Sequence, residues 1–431
     1  MSSIVLKGRS RLAGVCRVPG SKSYSNRYLV LAALAEGTTE ISGLPKSRDI
    51  EVMKGALQSL GISLHGGRLG PDGLSVQGCG GVWPASEGTL HLGNAGTAMR
   101  PLCAVLSLTC RRGGYVLRGD ARMYERPIRD LVDALTAMGA RISYERETGF
   151  PPLKISPGSV SERSIKVKGD ISSQYLSSLL LAAPLTPEGL DVEIIGDLVS
   201  RPYVDLTMRA MNDFGVNVTT ENYKHFNIPP GGYRAPSGPL QVEGDASAAS
   251  YFLALGAIGG GPVRVENLVP TGSNQSDIKF ADVIASMGAT VEKGLTWIQA
   301  SRGAEKLKAQ ELDLTDMPDA AMTVAALGAF AEGTTVIRGI GNWRVKETDR
   351  LAAMAKELRK VGADVKEGSD FIVITPPTAG FKPAVIDTYD DHRMAMCFSL
   401  MALGGVDIEI NDPSCCAKTF PEYFDEYNRL S

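Results

Sequence analysis

Cysteine and histidine are scarce in this 431-residue chain, which has seven of the first and four of the second. The cysteines (Cys16, Cys79, Cys103, Cys110, Cys397, Cys415 and Cys416) form no C-x-x-C pair, and adjacent Cys415 and Cys416 suit ordinary disulfide geometry poorly. No zinc or other metal site is therefore expected, and a reducing cytoplasm is the expected compartment. No apolar run reaches the roughly 18 residues that a membrane helix needs. The opening MSSIVLKGRSRLAG lacks the apolar stretch and small-residue cleavage site of a secretion signal. Positive charge is not in excess either: the formal net charge is −3, which argues against a nucleic-acid partner. With 43% hydrophobic and 22% charged residues the composition is that of an ordinary globular protein, and its length predicts two or three domains.

The stretch PGSKSYSNR, residues 19–27, has the look of a nucleotide-binding loop, with Gly20, Lys22 and Ser23 at the mouth of an apolar run. A P-loop needs glycine directly before its lysine, and here Ser21 stands there. A P-loop kinase fails on that spacing. If Lys22 serves an anion, it is by another arrangement.

Internal repetition is the strongest signal. A helix-like run ends in glycine and turns into a β-type stretch five times: ALQSLGISL, ALTAMGARI, AMNDFGVNV, VIASMGATV and ELRKVGADV, around Gly61, Gly139, Gly215, Gly288 and Gly362. Glycine there suits a left-handed cap that stops the helix. A more apolar, small-residue-rich helix opens each unit, and six such openings occur, from SNRYLVLAALAEG to HRMAMCFSLMALGG. Apolar on nearly every side, they are predicted to be buried; the glycine-terminated helices, charged on one face, should lie outside. Pro101 should kink its helix or delay its start.

The sixth copy ends in PEYFDEYNRL with no strand after it, whereas strand-like SIVLKGRSRLAGVCRV precedes the first copy. The N-terminal segment is expected to complete the sixth copy, in preference to one elongated array. That predicts an α/β protein of two domains of three repeats each. Residues 1–20 plus 243–431 form one and residues 21–242 the other, with chain crossings near 19–22 and 238–243.

Polar residues then gather at the mouths of the six apolar helices: Lys22 and Ser23; Asn94 and Thr97; Ser172, Ser173 and Gln174; Asp245; Asp319; and Asp391, His392 and Arg393. Ser, Thr, Asn and Asp at such places are ordinarily caps. Lys22, Arg27 and Arg393 are not, because a cation opposes the positive end of a helix dipole unless an anion lies between them. Loops before the outer helices add Arg122, Arg126, Ser200, Arg201, Tyr203, Lys346, Arg350 and Lys418, with Glu347 and Asp319 as acids among them. Acids among cations are most often plain ion pairs. A net-negative chain that collects so many loop cations nevertheless looks built for ligands with more than one acidic group.

In order and spacing, GSKSYSNR, LGNAGTAMRPL, MYERPI, SSQYLSSLL, EGDASAASYF, PDAAMT, NWRVKETDR, DDHRMAM and KTFPEYF resemble the 5-enolpyruvylshikimate-3-phosphate synthase family over the whole chain. The resemblance implies two inside-out α/β domains, each of three βαβαββ repeats, whose buried helices point their N-termini at an interdomain cleft that closes about the crossings. It implies transfer of the enolpyruvyl group of phosphoenolpyruvate to the 5-hydroxyl of shikimate 3-phosphate, with release of phosphate and no cofactor. Lys22, Asp319 and Glu347 would carry the proton transfers. Lys22, Ser23, Arg27, Ser172, Ser173, Gln174, Ser200, Tyr203, Asp319, Asn342 and Lys346 would hold shikimate 3-phosphate. Lys22, Asn94, Gly96, Arg126, Gln174, Arg350, Arg393 and Lys418 would hold phosphoenolpyruvate, supported by Thr97, Asp245 and His392. Gly96, with Thr97 and Pro101, resembles the pattern sensitive to the inhibitor glyphosate.

Arg201 replaces a lysine common in the family, and the Cys-Cys-Ala before Lys418 is less usual there. A monomer is expected, bacterial rather than from a plastid. The related transferase acting on UDP-N-acetylglucosamine is the nearest rival, but it follows its lysine with asparagine, where this chain has Ser-Tyr-Ser-Asn-Arg. A non-catalytic repeat scaffold would have no need of Asp319 and Glu347 among cations.

Overall fold

In a computed structural model that describes residues 2–67, 69, 72–169, 172–303 and 305–430, the chain divides into two compact units. One comprises Met1–Gly20 and Glu243–Ser431, the other Ser21–Val242. Each has its own hydrophobic core.

The helices alternate in kind along the chain: α1 Lys22–Leu34, α2 Arg48–Ser59, α3 Gly96–Thr109, α4 Arg129–Ala137, α5 Ser173–Ala182 and α6 Arg201–Asp213 in the central unit. The other unit carries α7 Ala246–Gly259, α8 Phe280–Ser286, α9 Ala321–Gly328, α10 Arg350–Lys360, α11 His392–Ser399 and α12 Tyr423–Arg429. Odd-numbered helices from α1 to α11 are the inner ones. Their small and apolar residues pack on every side, so that only Lys22, Ser23, Thr97, Pro101, Thr109, Gln174 and Ile258 escape full burial. Four of those seven lie in the first two residues of a helix. The outer helices bury a single stripe, Ile50, Met53 and Leu57 on α2 and Leu351, Met354 and Leu358 on α10, at the spacing of one helix face. Helix α3 runs from Gly96 straight through Pro101, so the proline does not delay its start.

Five four-stranded sheets share one topology. In the second copy, for example, Glu87–His91 pairs in parallel with Gly114–Arg118, and the antiparallel strands Leu153–Ser156 and Arg141–Tyr144 follow. An inner helix connects the parallel pair and an outer helix leads to the hairpin, which is a βαβαββ unit. Two copies take their leading strand from elsewhere in the chain. Leu240–Gln241 leads the first copy and Leu12–Arg17 the fourth. The sixth copy has three strands, of which Ser3–Leu6 is the last, antiparallel to Ile408–Asn411. The N-terminal segment is therefore shared: its first strand joins the sixth copy and its second joins the fourth. Each strand needs a sheet edge of the right direction, and the two edges belong to different copies.

The glycines after the outer helices have φ of 87° at Gly61, 101° at Gly139, 83° at Gly215, 103° at Gly288 and 99° at Gly362, the left-handed cap that ends a helix without a side-chain clash. A Cβ at Gly215 would meet no atom within 4 Å, whereas one at Gly61 would lie 2.7 Å from Pro84 Cβ. Gly215→Ala should therefore cost backbone strain alone, about 1–2 kcal/mol, and Gly61→Ala more. Urea unfolding with unchanged m-values checks the order; equal losses would show that Pro84 moves aside freely.

Candidate active site

None of the six inner helices has an acidic residue in its first turn, whereas α2, α4, α8 and α12 do. Of these, α7 and α11 carry an aspartate cap just outside the helix, and the side chains gathered at the inner helix starts differ between the two units.

In the central unit, Lys22 is the first residue of α1, with Nζ 3.4 Å from Asp49 Oδ2 in the first turn of α2. Asn26 Nδ2 donates to Thr97 Oγ1 at 3.1 Å, tying α1 to α3. Arg27 is buried and has no carboxylate: Nε donates to Thr207 Oγ1 at 2.8 Å, Nη1 to Ser23 O at 3.0 Å and Nη2 to Tyr203 O at 3.1 Å. Burial without an acid lowers its pKa to about 10. Arg126 is also buried without an acid. Its Nη1 donates to the carbonyl of Asn94 at 2.9 Å and to that residue's Oδ1 at 2.8 Å, while Nε has no partner.

Ser172 acts as a true cap, accepting from Gln174 N at 3.2 Å, with Ser173 buried beside it. Ser200 is buried in the left-handed region, φ 55°, at the turn into α6 that carries Tyr203. Such strain costs on the order of 1–3 kcal/mol and concentrates at functional sites. Gly96 opens α3 under two guanidinium groups. A Cβ there would lie 2.5 Å from Arg100 Nη1 and 2.9 Å from Arg126 Nη2. Arg201 stacks over the Tyr223 ring at 5.3 Å, and Arg122 pairs with Glu125 at 2.6 Å.

The other unit mixes acids with its cations. Arg350, 1% exposed, forks onto Asp391 (Nε to Oδ2 at 2.7 Å, Nη2 to Oδ1 at 3.3 Å) and also donates to Glu347 and Asp319 at 3.0 Å each. Arg393 Nη2 donates to Asp319 Oδ2 at 2.8 Å and its Nη1 to Tyr251 OH at 3.0 Å. Lys418 Nζ lies 3.9 Å from Glu347 Oε1. Asp319 and Glu347 are thus each shared between two cations. Burial pushes the Asp319 carboxyl up, but Arg393, Lys346 and Arg350 outweigh it and hold the group well below the usual carboxylate range. Burial would also lower Arg350, and Asp391, Glu347 and Asp319 more than reverse this.

Trp343 Nε1 donates to Pro318 O at 2.7 Å and so fixes the residue before Asp319, while neighbouring Asn342 keeps a buried Oδ1 without a partner. His392 is buried, with Nδ1 3.5 Å from Asp391 Oδ1. Asp245 is used as a cap, accepting from Ala248 N at 3.0 Å. Cys415 and Cys416 are both buried, and the Cys416 thiol is pushed well up by Cys415 and by burial, so it is not a thiolate.

Among the described residues no cluster of His, Cys, Asp and Glu could hold a metal ion, and no helix is long and apolar enough to cross a membrane. The expected residues therefore fall into two sets. Lys22, Ser23, Arg27, Asn94, Gly96, Thr97, Arg126, Ser172, Ser173, Gln174, Ser200 and Tyr203 lie in the central unit. Asp245, Asp319, Asn342, Lys346, Glu347, Arg350, His392, Arg393 and Lys418 lie in the other. Sequence reasoning passed over Asp49, Arg100 and Tyr251. Asp49 reads as an ordinary first-turn acid, and Arg100 and Tyr251 lie inside apolar helices with no pattern to mark them.

Six repeated α/β copies, with polar and basic side chains at the mouths of their inner helices, define a two-unit α/β fold, and comparison with known proteins narrows it. Residues 6–427 match the family described as EPSP synthase (3-phosphoshikimate 1-carboxyvinyltransferase). The chain belongs to that family. It is 52% identical, over all of both chains, to the 3-phosphoshikimate 1-carboxyvinyltransferase of Thiobacillus denitrificans, and 53% identical to that of Burkholderia multivorans over 98% of each. The solved EPSP synthase of Acinetobacter baumannii superposes with a TM-score of 0.79 at 28% identity, covering all of both chains. The enolpyruvyl transferase NikO of Streptomyces tendae, at 18% identity and a TM-score of 0.77 over 100% of this chain and 98% of its own, shares the fold.

Removing Arg350 would leave the buried Asp391 without its guanidinium fork and take one of the cations from Glu347. Arg350→Met should destabilise its unit by about 3–5 kcal/mol, seen as a lowered thermal midpoint. A midpoint within a degree of the wild type would show that the acids take up protons at little cost.

Proposed function

We infer that this protein transfers the enolpyruvyl group of phosphoenolpyruvate to the 5-hydroxyl of shikimate 3-phosphate, releasing phosphate, a step towards chorismate and the aromatic amino acids. The full-length match to the family, with relatives at 52% identity over the whole chain, carries this reading. Its physical support is the supply of cations. The substrates bring two phosphates and two carboxylates, and Arg27 and Arg126 are buried cations that no acid neutralises. Arg27, which donates to the carbonyls of Ser23 and Tyr203, is assigned to shikimate 3-phosphate with Lys22, Ser23, Ser172, Ser173, Gln174, Ser200, Tyr203, Asp319, Asn342 and Lys346. Arg126, with Lys22, Asn94, Gly96, Arg350, Arg393 and Lys418, is assigned to phosphoenolpyruvate.

The reaction adds the hydroxyl to C2 of phosphoenolpyruvate while C3 gains a proton. The tetrahedral adduct then loses a C3 proton and phosphate. Addition needs a base at the hydroxyl and an acid at C3; elimination reverses the transfer at C3. We assign these transfers to Lys22, Asp319 and Glu347. In the free protein Asp319 is a weak base because its cations hold its proton affinity down. Substrate anions that engage Arg393, Arg350 and Lys346 would relieve that hold and strengthen the base where it is needed.

Phosphate release from phosphoenolpyruvate should occur with shikimate 3-phosphate and not with UDP-N-acetylglucosamine, without added metal. Lys22→Ala should lower kcat about 100-fold or more. Release only with the nucleotide sugar would overturn the acceptor, and no release with either acceptor would overturn the reaction.

We further propose a cytoplasmic monomer inhibited by glyphosate. Gly96→Ala would press its methyl on the Arg100 and Arg126 guanidinium groups and should weaken glyphosate more than phosphoenolpyruvate. Equal losses in the two inhibition and saturation curves would contradict this.

A further inference from the structure

Thr207 belongs to no motif that marks the site. It lies in the middle of α6, about two turns after Ser200, and is fully buried. A threonine inside a helix often satisfies its hydroxyl on the carbonyl four residues earlier, and Thr207 Oγ1 does so, donating to Tyr203 O at 2.7 Å. Two further contacts go beyond that local bond. Oγ1 accepts from Arg27 Nε of α1 at 2.8 Å and lies 3.0 Å from Ser177 Oγ of α5. A hydroxyl has one proton and two lone pairs, so these three neighbours use it completely. Packing alone would be served as well by valine, which has the same shape.

Arg27 gives the arrangement its consequence. Its guanidinium is buried with no carboxylate partner among the described residues, so neutral acceptors alone fix its direction. Of the five N–H groups of an arginine, one on Nε is taken by Thr207, one on Nη2 by Tyr203 O at 3.1 Å and one on Nη1 by Ser23 O at 3.0 Å. The other two have no partner among the described residues. Thr207 Oγ1 and Tyr203 O, one turn apart on α6, form the acceptor pair for Nε and Nη2, and the hydroxyl itself donates to that carbonyl. Three helices whose starts are assigned to shikimate 3-phosphate meet at this one oxygen: α1 with Ser23 and Arg27, α5 behind Ser172, and α6 behind Ser200.

We propose that Thr207 is a positioning residue for the shikimate 3-phosphate site, aiming the remaining N–H groups of the buried Arg27 at the ligand. The inference rests on the reading of Arg27 as a ligand of shikimate 3-phosphate. Thr207, buried beneath the guanidinium, acts through Arg27 and not on the substrate itself. A guanidinium grips phosphate or carboxylate well only when its planar fork is aligned with the oxygens. Without the hydroxyl, Nε would face a methyl in the interior, and the plane would turn towards another acceptor.

Thr207→Val keeps the shape and removes the acceptor. It should raise the KM for shikimate 3-phosphate about 10-fold, while kcat and the KM for phosphoenolpyruvate stay within about twofold of the wild type. Thr207→Ser returns the hydroxyl and should restore most of the lost affinity. In an Arg27→Lys background, where the Nε–H is gone, Thr207→Val should add nothing further. A merely structural threonine would lower the thermal midpoint in both variants yet leave the split between KM and kcat unmoved. If Thr207→Val does not fold, Thr207→Ala, which also lacks the hydroxyl, is read in its place. A wild-type KM without the hydroxyl, a serine variant as weak as the valine one, or an undiminished effect in the Arg27→Lys background would each overturn the role of Thr207. Arg27→Lys with the wild-type KM for shikimate 3-phosphate would instead overturn the reading of Arg27, and this inference with it.

Discussion

A helix buried on all sides has nowhere to present a side chain to a ligand except at its ends. The rest of this structure depends on that constraint. The inner helices α1, α3, α5, α7, α9 and α11 are walled in by small and apolar residues, and their partly open positions cluster in the first turn. Function is pressed into the helix mouths, where free amides already favour negative charge. The repeat then multiplies one modest anion site. The six mouths give one unit buried arginines held by carbonyls and a hydroxyl, and the other a cluster of cations interleaved with acids.

The two units use those settings differently. In the central unit the buried arginines rest on carbonyls and a hydroxyl, so their charge remains available to an external anion. In the other, Arg350 is held by Asp391, Glu347 and Asp319, and Arg393 donates to Asp319. A cation without an acid can bind; an acid held between cations can bind and also exchange a proton once its neighbours are engaged. The division is one of chemistry as well as sequence.

Much of this was legible in the residues. The glycine-ended runs announced the outer helices, because only a left-handed residue stops a helix and enters a strand at that point, and Gly61, Gly139, Gly215, Gly288 and Gly362 all take that conformation. The burial of the inner helices followed from composition alone, and the cations at their mouths stood out because they oppose the dipole. What stayed hidden depended on pairing at a distance. Asp49 is read locally as a favourable first-turn acid of α2, and nothing nearby reveals that Lys22 is its partner. Asp277 sits in the short 3-10 turn Ser276–Lys279, buried against Ser247 of α7, a pairing that nothing in the local sequence marks. The two N-terminal strands looked like one addition to the sixth copy. Which edge each would meet was a question of sheet direction, to which alternation of side chains is blind.

The borrowed strands also set an order on synthesis. Ser3–Leu6 pairs with Ile408–Asn411, and Leu12–Arg17 pairs with Gly260–Glu266. Ser3–Leu6 therefore has no partner until Ile408–Asn411 has been made, and Leu12–Arg17 none until Gly260–Glu266 has been made. The central unit, by contrast, holds all its strands once Leu240–Gln241 has emerged. Nascent chains would carry a finished middle while the edge of Ser3–Leu6 stays unmatched until Ile408–Asn411 follows.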